Sequence, residues 1–315
     1  MAVRKKPTVK LQDTNAEITG SGSRLEKYWQ ANGIQNFFGK FRNKPVPQKF
    51  RDSSDLSRIV KTWHLRAIGF GNWVTQEDRN NYLSALLLAL YDLNKVLRFN
   101  QNIGLNGILS VTFGSRGAGS ALGHFEPWSF IINLTRYHEN PKFWSKERRF
   151  LLTGGSGVMA HEYGHALDYY FGLIVDPSFL SGALTGGRSV SRTYQSKGTD
   201  KLRILMDALM NKLIWKKYGD TLSPFYLRVL KNTSNDYWVQ RNEIFARSFE
   251  LYIKMKLNSL GIKNKFLTVT KYEESVYPRE SEMTQVIPLF DKLIAEMRRE
   301  LARPLTAAKT RRALS

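Results

Sequence analysis

The sequence predicts an α+β protein: a small antiparallel sheet laid over one central helix, with additional helices around the pair. Three observations carry this. A chain of 315 residues that is 42% hydrophobic and 12% aromatic can bury a sizeable core. Short β-type runs bounded by glycine and proline cluster between residues 108 and 134. Apolar residues at helical spacing dominate before and after that region. The expected layout is a basic N-terminal arm and anchoring segment at 1–54, the α+β core at 55–260 and a basic helical extension at 261–315.

Each element follows from its residues. Residues 1 to about 24 are rich in Lys, Thr, Gly and Ser and lack an apolar period, which reads as an extended arm. Tyr28, Trp29, Phe37, Phe38, Phe41 and Phe50 then interleave with Lys and Arg, a mix that anchors a short segment onto a core more often than it stacks on nucleobases. Thr75 and Asp78 form a helix start, after which Tyr82, Leu86, Leu90, Leu93 and Leu97 recur on one face. Ile108 to Phe113, Phe125 and Phe130 to Leu134 read as three short antiparallel strands. The glycine-rich Gly114 to Gly119 lies between strands with no following Lys-Ser/Thr helix, so it reads as a tight loop rather than a phosphate cradle. A charged insertion around Tyr137 to Phe150 precedes Thr153-Gly154-Gly155-Ser156-Gly157 and a helix through about Phe171. Later helices are expected at about Lys201 to Tyr218, Asp236 to Lys256 and Gln285 to Leu301, with no internal repeat.

Composition narrows the function classes. Zero cysteines exclude disulfides, thiolate metal sites and a cysteine nucleophile, so any metal must be held by the 5 histidines or by carboxylates. The longest apolar stretch, Leu83 to Tyr91 with Ser84 inside it, is far short of the ~20 residues of a membrane span. Met-Ala-Val-Arg-Lys-Lys-Pro opens the chain without the apolar region of a secretory signal, so no export by that route is expected. The net charge is +21, concentrated in the first 50 and last 65 residues and absent from 151–200, a distribution that attracts polyanions.

The chemistry concentrates in His161-Glu162-Tyr163-Gly164-His165. Two histidines four apart on a helix put both imidazoles on one face within ~40° of each other, the geometry a single zinc ion needs. Glu162 lies ~100° round the helix from His161, close enough to reach an attacking water without ligating the metal, and is the expected general base. With this composition His-Glu-x-x-His arises by chance in roughly one chain in two to three hundred. Asp168, three after His165, is expected to accept a ring N–H and fix the tautomer.

A third ligand must come from elsewhere. An extended motif would place Gly at 168 and His or Asp at 171, where this chain has Asp168 and Phe171, so that solution is excluded. A carboxylate on a later helix is the other solution, and Glu243 and Glu250, seven apart, share a stripe with the small Ala246. Glu243 is preferred as ligand and Glu250 as its support, with Arg247 expected to pair with Glu250. The reaction that follows is metal-assisted hydrolysis of an amide, with the strand around Phe130 to Leu134 offering its edge to an extended peptide. Tyr194 and His124 are the candidate oxyanion donors.

Longer segments around the motif resemble one family. Gly69-Phe70-Gly71-Asn72-Trp73, Phe113 to Gly119, His124-Phe125-Glu126-Pro127, Ile132 to Thr135, His161 to Asp168 and Glu243 to Glu250 occur in an order that resembles the large polyvalent protein-associated domain 1 family, zincin-like metallopeptidase domains of phages and other mobile elements, over roughly residues 65 to 255. The resemblance implies a zincin-like core, His161 and His165 as metal ligands, Glu162 as catalytic residue and Glu243 as third ligand. It further implies a protein or peptide substrate and a setting in the bacterial host cytoplasm or a phage virion. Two departures stand out: the family module makes up nearly the whole chain instead of one part of a very long protein, and the Tyr137 to Phe150 insertion lengthens the connector. The alternative expectation is a structural virion or DNA-associated protein on the same fold, its basic ends meeting nucleic acid or acidic proteins, with little or no catalysis.

Overall fold

The computed structural model describes residues 41–303 apart from 54, 72–73, 75, 116–121, 135–156, 176–181, 195–198, 233–234 and 270, and the side chains of 76–78 are likewise outside it. The N-terminal arm, most of the glycine-rich loop, the Tyr137 to Phe150 insertion and the tail from 304 therefore lie outside the described residues. Within them the architecture is mixed α+β, with eight α-helices and two small sheets.

Helix α1 (Leu56–Thr62) starts at Asp55, whose carboxylate accepts the Arg58 amide at 2.9 Å. Strand β1 (Ala67–Phe70) leads into α2 (Gln76–Leu97), and Tyr82, Leu86, Leu90, Leu93 and Leu97 are all buried on the face their spacing predicts. A chain reversal follows α2, and Gly104 approaches the backbone so closely there that a β-carbon would collide with the His64 carbonyl. It returns the chain as β2 (Ser110–Phe113), followed by β3 (Gly123–Glu126) and β4 (Ile131–Leu134).

The sheet differs from the antiparallel arrangement the sequence predicts. Its order is β1-β2-β4-β3, with β1–β2 and β2–β4 parallel and β3–β4 antiparallel. The helix α2 is the reason, because a crossover brings the second strand back in the same direction as the first. Both faces of β2 and β4 are buried, and Val111, Ile131 and Ile132 are fully so. Because β4 is paired on both sides, it has no free edge, and the edge strands among the described residues are β1 and β3. The Phe130 to Leu134 strand thus cannot receive a peptide.

Helix α3 (Met159–Val175) carries the His-Glu-x-x-His segment between the β3–β4 side of the sheet and α6 (Arg241–Ser259). Phe125 of β3 packs on Tyr169, with ring centroids 5.8 Å apart. The start of α3 is held by a distant part of the chain: Gly157 and Ala160 donate their amides to the carbonyls of Phe266 and Leu267, at 2.8 and 3.0 Å.

Between α3 and α6 lie α4 (Lys201–Ile214), the hairpin β5 (Trp215–Lys217) and β6 (Thr221–Leu222), and α5 (Pro224–Asn232). The helix expected to run to Tyr218 stops at Ile214, where a turn with Gly219 at φ +73° folds the chain back as a hairpin. After α6 come the single turn α7 (Glu280–Met283) and the amphipathic α8 (Ile287–Ala302), which packs on α4. Phe266, Met283, Phe290, Leu293 and Met297 join the same hydrophobic cluster as α2 and α3, so residues 261–302 are part of the core's packing. None of the helices among the described residues is long and apolar enough to cross a membrane.

Candidate metal centre

Two helices bring three donor groups together. On α3, His161 and His165 stand one turn apart with their Nε2 atoms 3.2 Å from each other. From the first turn of α6, Glu243 places Oε1 3.2 Å from His165 Nε2 and Oε2 3.5 Å from His161 Nε2. A tetrahedral ion bonded at ~2.0–2.1 Å separates its ligand atoms by about 3.3 Å, so these spacings match a single zinc ion. Ligand atoms of all three residues lie within 4.8 Å of one another, the one such cluster of three or more among the described residues. A nitrogen–nitrogen contact this short needs a shared proton or a shared cation, because two neutral imidazole acceptors would repel.

The helices can bring these groups so close because of small residues at the crossing. Gly164 faces Ala246 and Phe249, whose nearest atoms would lie 3.2 Å from an added β-carbon. Ala246 is the residue the sequence singles out for this approach, and Gly164, inside the motif itself, is its counterpart.

Electrostatics set the cluster up for a cation. Burial alone would lower the His161 pKa, but the Glu243 carboxylate bonded to it, with Glu162 and Glu250 nearby, raises it to about 9. Glu243 is held well below the usual carboxylate range, because the imidazoles of His165 and His161 outweigh the opposing effect of burial. Three carboxylates around two imidazoles leave an excess of negative charge in a buried place.

Glu250 lies behind His161, with Oε2 3.9 Å from its Nδ1. Its carboxylate accepts from the Tyr272 hydroxyl at 2.9 Å, the Tyr277 hydroxyl at 2.9 Å and the Val269 amide at 3.3 Å. Burial pushes its pKa up and these three donors partly offset that. It is Glu243, then, that meets the Nε2 atoms, while Glu250 faces the opposite side of the His161 ring.

Arg247 does not pair with Glu250 as the sequence suggests. It donates to the backbone carbonyls of Glu243 (3.0 Å), Trp238 and Val276. Side chains on a helix lean toward its N-terminus, which carries Arg247 back to the turn before α6 and away from Glu250. Asp168 also differs from expectation: its two oxygens accept the Thr185 amide and hydroxyl, both at 2.7 Å, and His165 Nδ1 has no hydrogen-bond partner among the described residues. Thr185 belongs to the 182–194 loop, which is tied to α6 where Arg241 donates through Nε to the Thr185 carbonyl at 2.6 Å. Asp168 thereby fastens a wall of the site rather than an imidazole.

Glu162 is buried at 6% exposure, and its Cγ would lie 3.4 Å from a β-carbon on Gly123 of the edge strand β3. Along β3, Gly123 and Phe125 face α3, so His124 and Glu126 face away from it, and His124 Nε2 sits 3.3 Å from Glu126 Oε1. Tyr194 packs beside the Arg241 guanidinium, 5.0 Å from its ring centroid. His124 therefore faces away from the histidine helix, and Tyr194 contacts Arg241.

Sequence reasoning missed Tyr237. It sits on the 3-10 turn Asp236–Val239 just before α6, which Asn235 caps through the Tyr237 amide at 3.1 Å and Arg247 clasps through the Trp238 carbonyl. Burial, the Glu243 carboxylate to which its hydroxyl is hydrogen-bonded, and the charge of Glu162 all raise its pKa. The residue is 47% exposed while its hydroxyl reaches Glu243, so Tyr237 links the cluster to the solvent-facing side. Only the fold brings it there, since nothing in the local sequence distinguishes it from other aromatics.

Comparison with known proteins gives one match. The family model described as large polyvalent protein-associated domain 1 matches residues 229–301. No curated protein and no solved structure matches the chain. The matched stretch overlaps the sequence resemblance at 229–255 and runs beyond it, so it contains Glu243, Glu250, Tyr272 and Tyr277 but not the histidine helix.

Proposed function

We propose that the protein, whose residues 229–301 match the family model described as large polyvalent protein-associated domain 1, is a zinc-dependent metallopeptidase of a phage or mobile element. The observation that carries the reading is the convergence of the His161 and His165 Nε2 atoms with the Glu243 carboxylate, beside a buried Glu162. A donor set of two imidazoles and one carboxylate, in a chain without cysteine, is the set that suits catalytic zinc. Bound there, zinc would supply Lewis-acid polarisation and bring the pKa of a water down to ~7.

The chain's own residues supply the rest. Glu162 takes the proton of the attacking water and delivers it to the leaving amine nitrogen. The Tyr237 hydroxyl donates a hydrogen bond to the oxygen of the carbonyl under attack as negative charge gathers on it. Glu250, fixed by two phenols, keeps its charge 3.9 Å from His161 Nδ1, which favours the proton on that nitrogen and leaves the other for Glu243's side. The outer edge of β3, which no described strand covers, with Gly123 over Glu162, can pair with the backbone of an extended peptide and so select main chain before side chain. This core is zincin-like, and its site of action is the bacterial cytoplasm or the virion.

The test is elemental analysis of purified wild type beside His161→Ala, followed by a protease screen with Glu162→Gln as control. The reading expects close to one zinc per wild-type chain, loss of zinc in His161→Ala, and cleavage that Glu162→Gln abolishes while retaining zinc. A wild-type chain that takes up no zinc even after refolding with it would sink the reading. The charge of +21 favours a second one, a structural virion or DNA-associated role, which expects steeply salt-dependent DNA binding indifferent to Glu162→Gln.

A further inference from the structure

Trp128 stands almost fully in solvent, 96% exposed, on the turn that joins β3 to β4. The turn beneath it is braced on several sides. The Ser129 hydroxyl donates to Glu126 Oε2 at 2.8 Å, and Glu126 Oε1 lies 3.3 Å from His124 Nε2. Arg66 donates to the Ser129 carbonyl and, at 2.9 Å, to the Ser110 hydroxyl. Phe130, in the left-handed region at φ +49°, is buried edge-on against Phe125 and Tyr170. A non-glycine residue in that conformation persists only where its surroundings hold it. The frame is therefore fixed while its largest side chain is covered by no described residue. Scattered exposed apolar groups are ordinary, but a rigidly presented indole forgoes a large burial and is preorganised for a partner.

Its position says which partner. Trp128 lies on the turn two residues past the end of β3, an edge strand that begins at Gly123 over Glu162. At ~3.4 Å per residue, an extended peptide lying on that edge and crossing the Glu162 level reaches the turn four or five residues later. Resting on the peptidase reading above, we infer that Trp128 is a docking post for the substrate: it packs on an apolar side chain, aliphatic or aromatic, about four or five residues from the bond that is cut. An indole can also hold a cation, but a chain of net charge +21 repels basic peptides, which selects the apolar partner.

The zinc-loaded full chain, as wild type, Trp128→Ala and Trp128→Phe, is assayed on fluorogenic peptide libraries of two lengths, hexapeptides and dodecapeptides. Hexapeptides cut near the middle are too short to reach the turn. The inference expects Trp128→Ala to lower kcat/KM about 30-fold on dodecapeptides and to leave hexapeptides unchanged, with Trp128→Phe recovering most of the loss. It expects wild type to prefer an apolar residue at the distant position. Dodecapeptides cut equally well by wild type and Trp128→Ala overturn it while the peptidase reading stands. If wild type cuts neither library, the peptidase reading falls and the docking post falls with it. The substituted side chain is in solvent, so all three proteins fold alike and the comparison is of binding alone.

Discussion

Gly164 of α3 faces Ala246 of α6 across the helix crossing, so that a β-carbon on Gly164 would lie only 3.2 Å from the Ala246 Cα. The three metal donors lie on these two helices, and the crossing distance sets the gap between them. A methyl at 164 requires the helices to separate by a few tenths of an ångström, while alanine favours the helix over glycine by ~1 kcal/mol. Gly164→Ala is therefore expected to change stability by less than about 1 kcal/mol yet weaken zinc binding. Gly164→Val, with no such slack, loses about 1–3 kcal/mol. Denaturant melts beside zinc titrations check both; undiminished zinc affinity in Gly164→Ala would show that the crossing does not govern the site.

The two glutamates of α6 separate by role. Glu243→Gln removes a charge that touches both Nε2 atoms and abolishes stoichiometric zinc. Glu250→Gln keeps zinc but weakens it about 10–100-fold, the usual cost of loosening a group that orients a ligand. Elemental analysis and competition with a chelator distinguish them, and equal losses in both variants would contradict the assignment.

Tyr237→Phe deletes one oxygen, the hydroxyl that reaches Glu243. Zinc content is expected to stay at the wild-type level while kcat falls about 100-fold with KM little changed, the signature of a group that acts on the transition state. A rise in KM at constant kcat would make Tyr237 a binding residue instead.

A pH effect follows away from the metal. Arg228 grips the Glu282 carboxylate with two bonds of 2.6 and 2.7 Å, and the pKa of Glu282 falls below its ordinary 4.5, burial opposing and Arg228 with the Arg279 amide prevailing. A depressed folded-state pKa contributes stability that is present above the unfolded value and is lost as pH falls through the folded one. Glu282→Gln should then melt earlier than wild type at pH 7, with the gap closing as pH drops below about 4. A gap that is constant with pH would assign the loss to packing.

How much of this was legible from the chain alone depends on how local the cause is. The face of α2, the two histidines of α3 and the stripe carrying Glu243 and Glu250 follow from helical spacing, which needs no knowledge of neighbours. The strand directions do not, because parallel and antiparallel pairs are built from the same short apolar runs, and Ala67–Phe70 is too brief to announce itself. The partners of Asp168 and Arg247 were misjudged for the same reason: each bonds a loop or turn, Thr185 and Trp238, whose position only the tertiary fold decides. Tyr237, Tyr272 and Tyr277 reach α6 from segments with no pattern of their own.

The hydrogen bonds from Gly157 and Ala160 to Phe266 and Leu267 tie the beginning of the histidine helix to the middle of the matched segment. The stretch at 229–301 holds one donor of the three, so neither it nor the histidine half carries the complete donor set when expressed separately. Each half is a half-site waiting for its complement. A chain nicked between the two could remain one particle, with the ion and the seam of α3 against α6 as the mortar, and a chelator would then act as a dissociating agent.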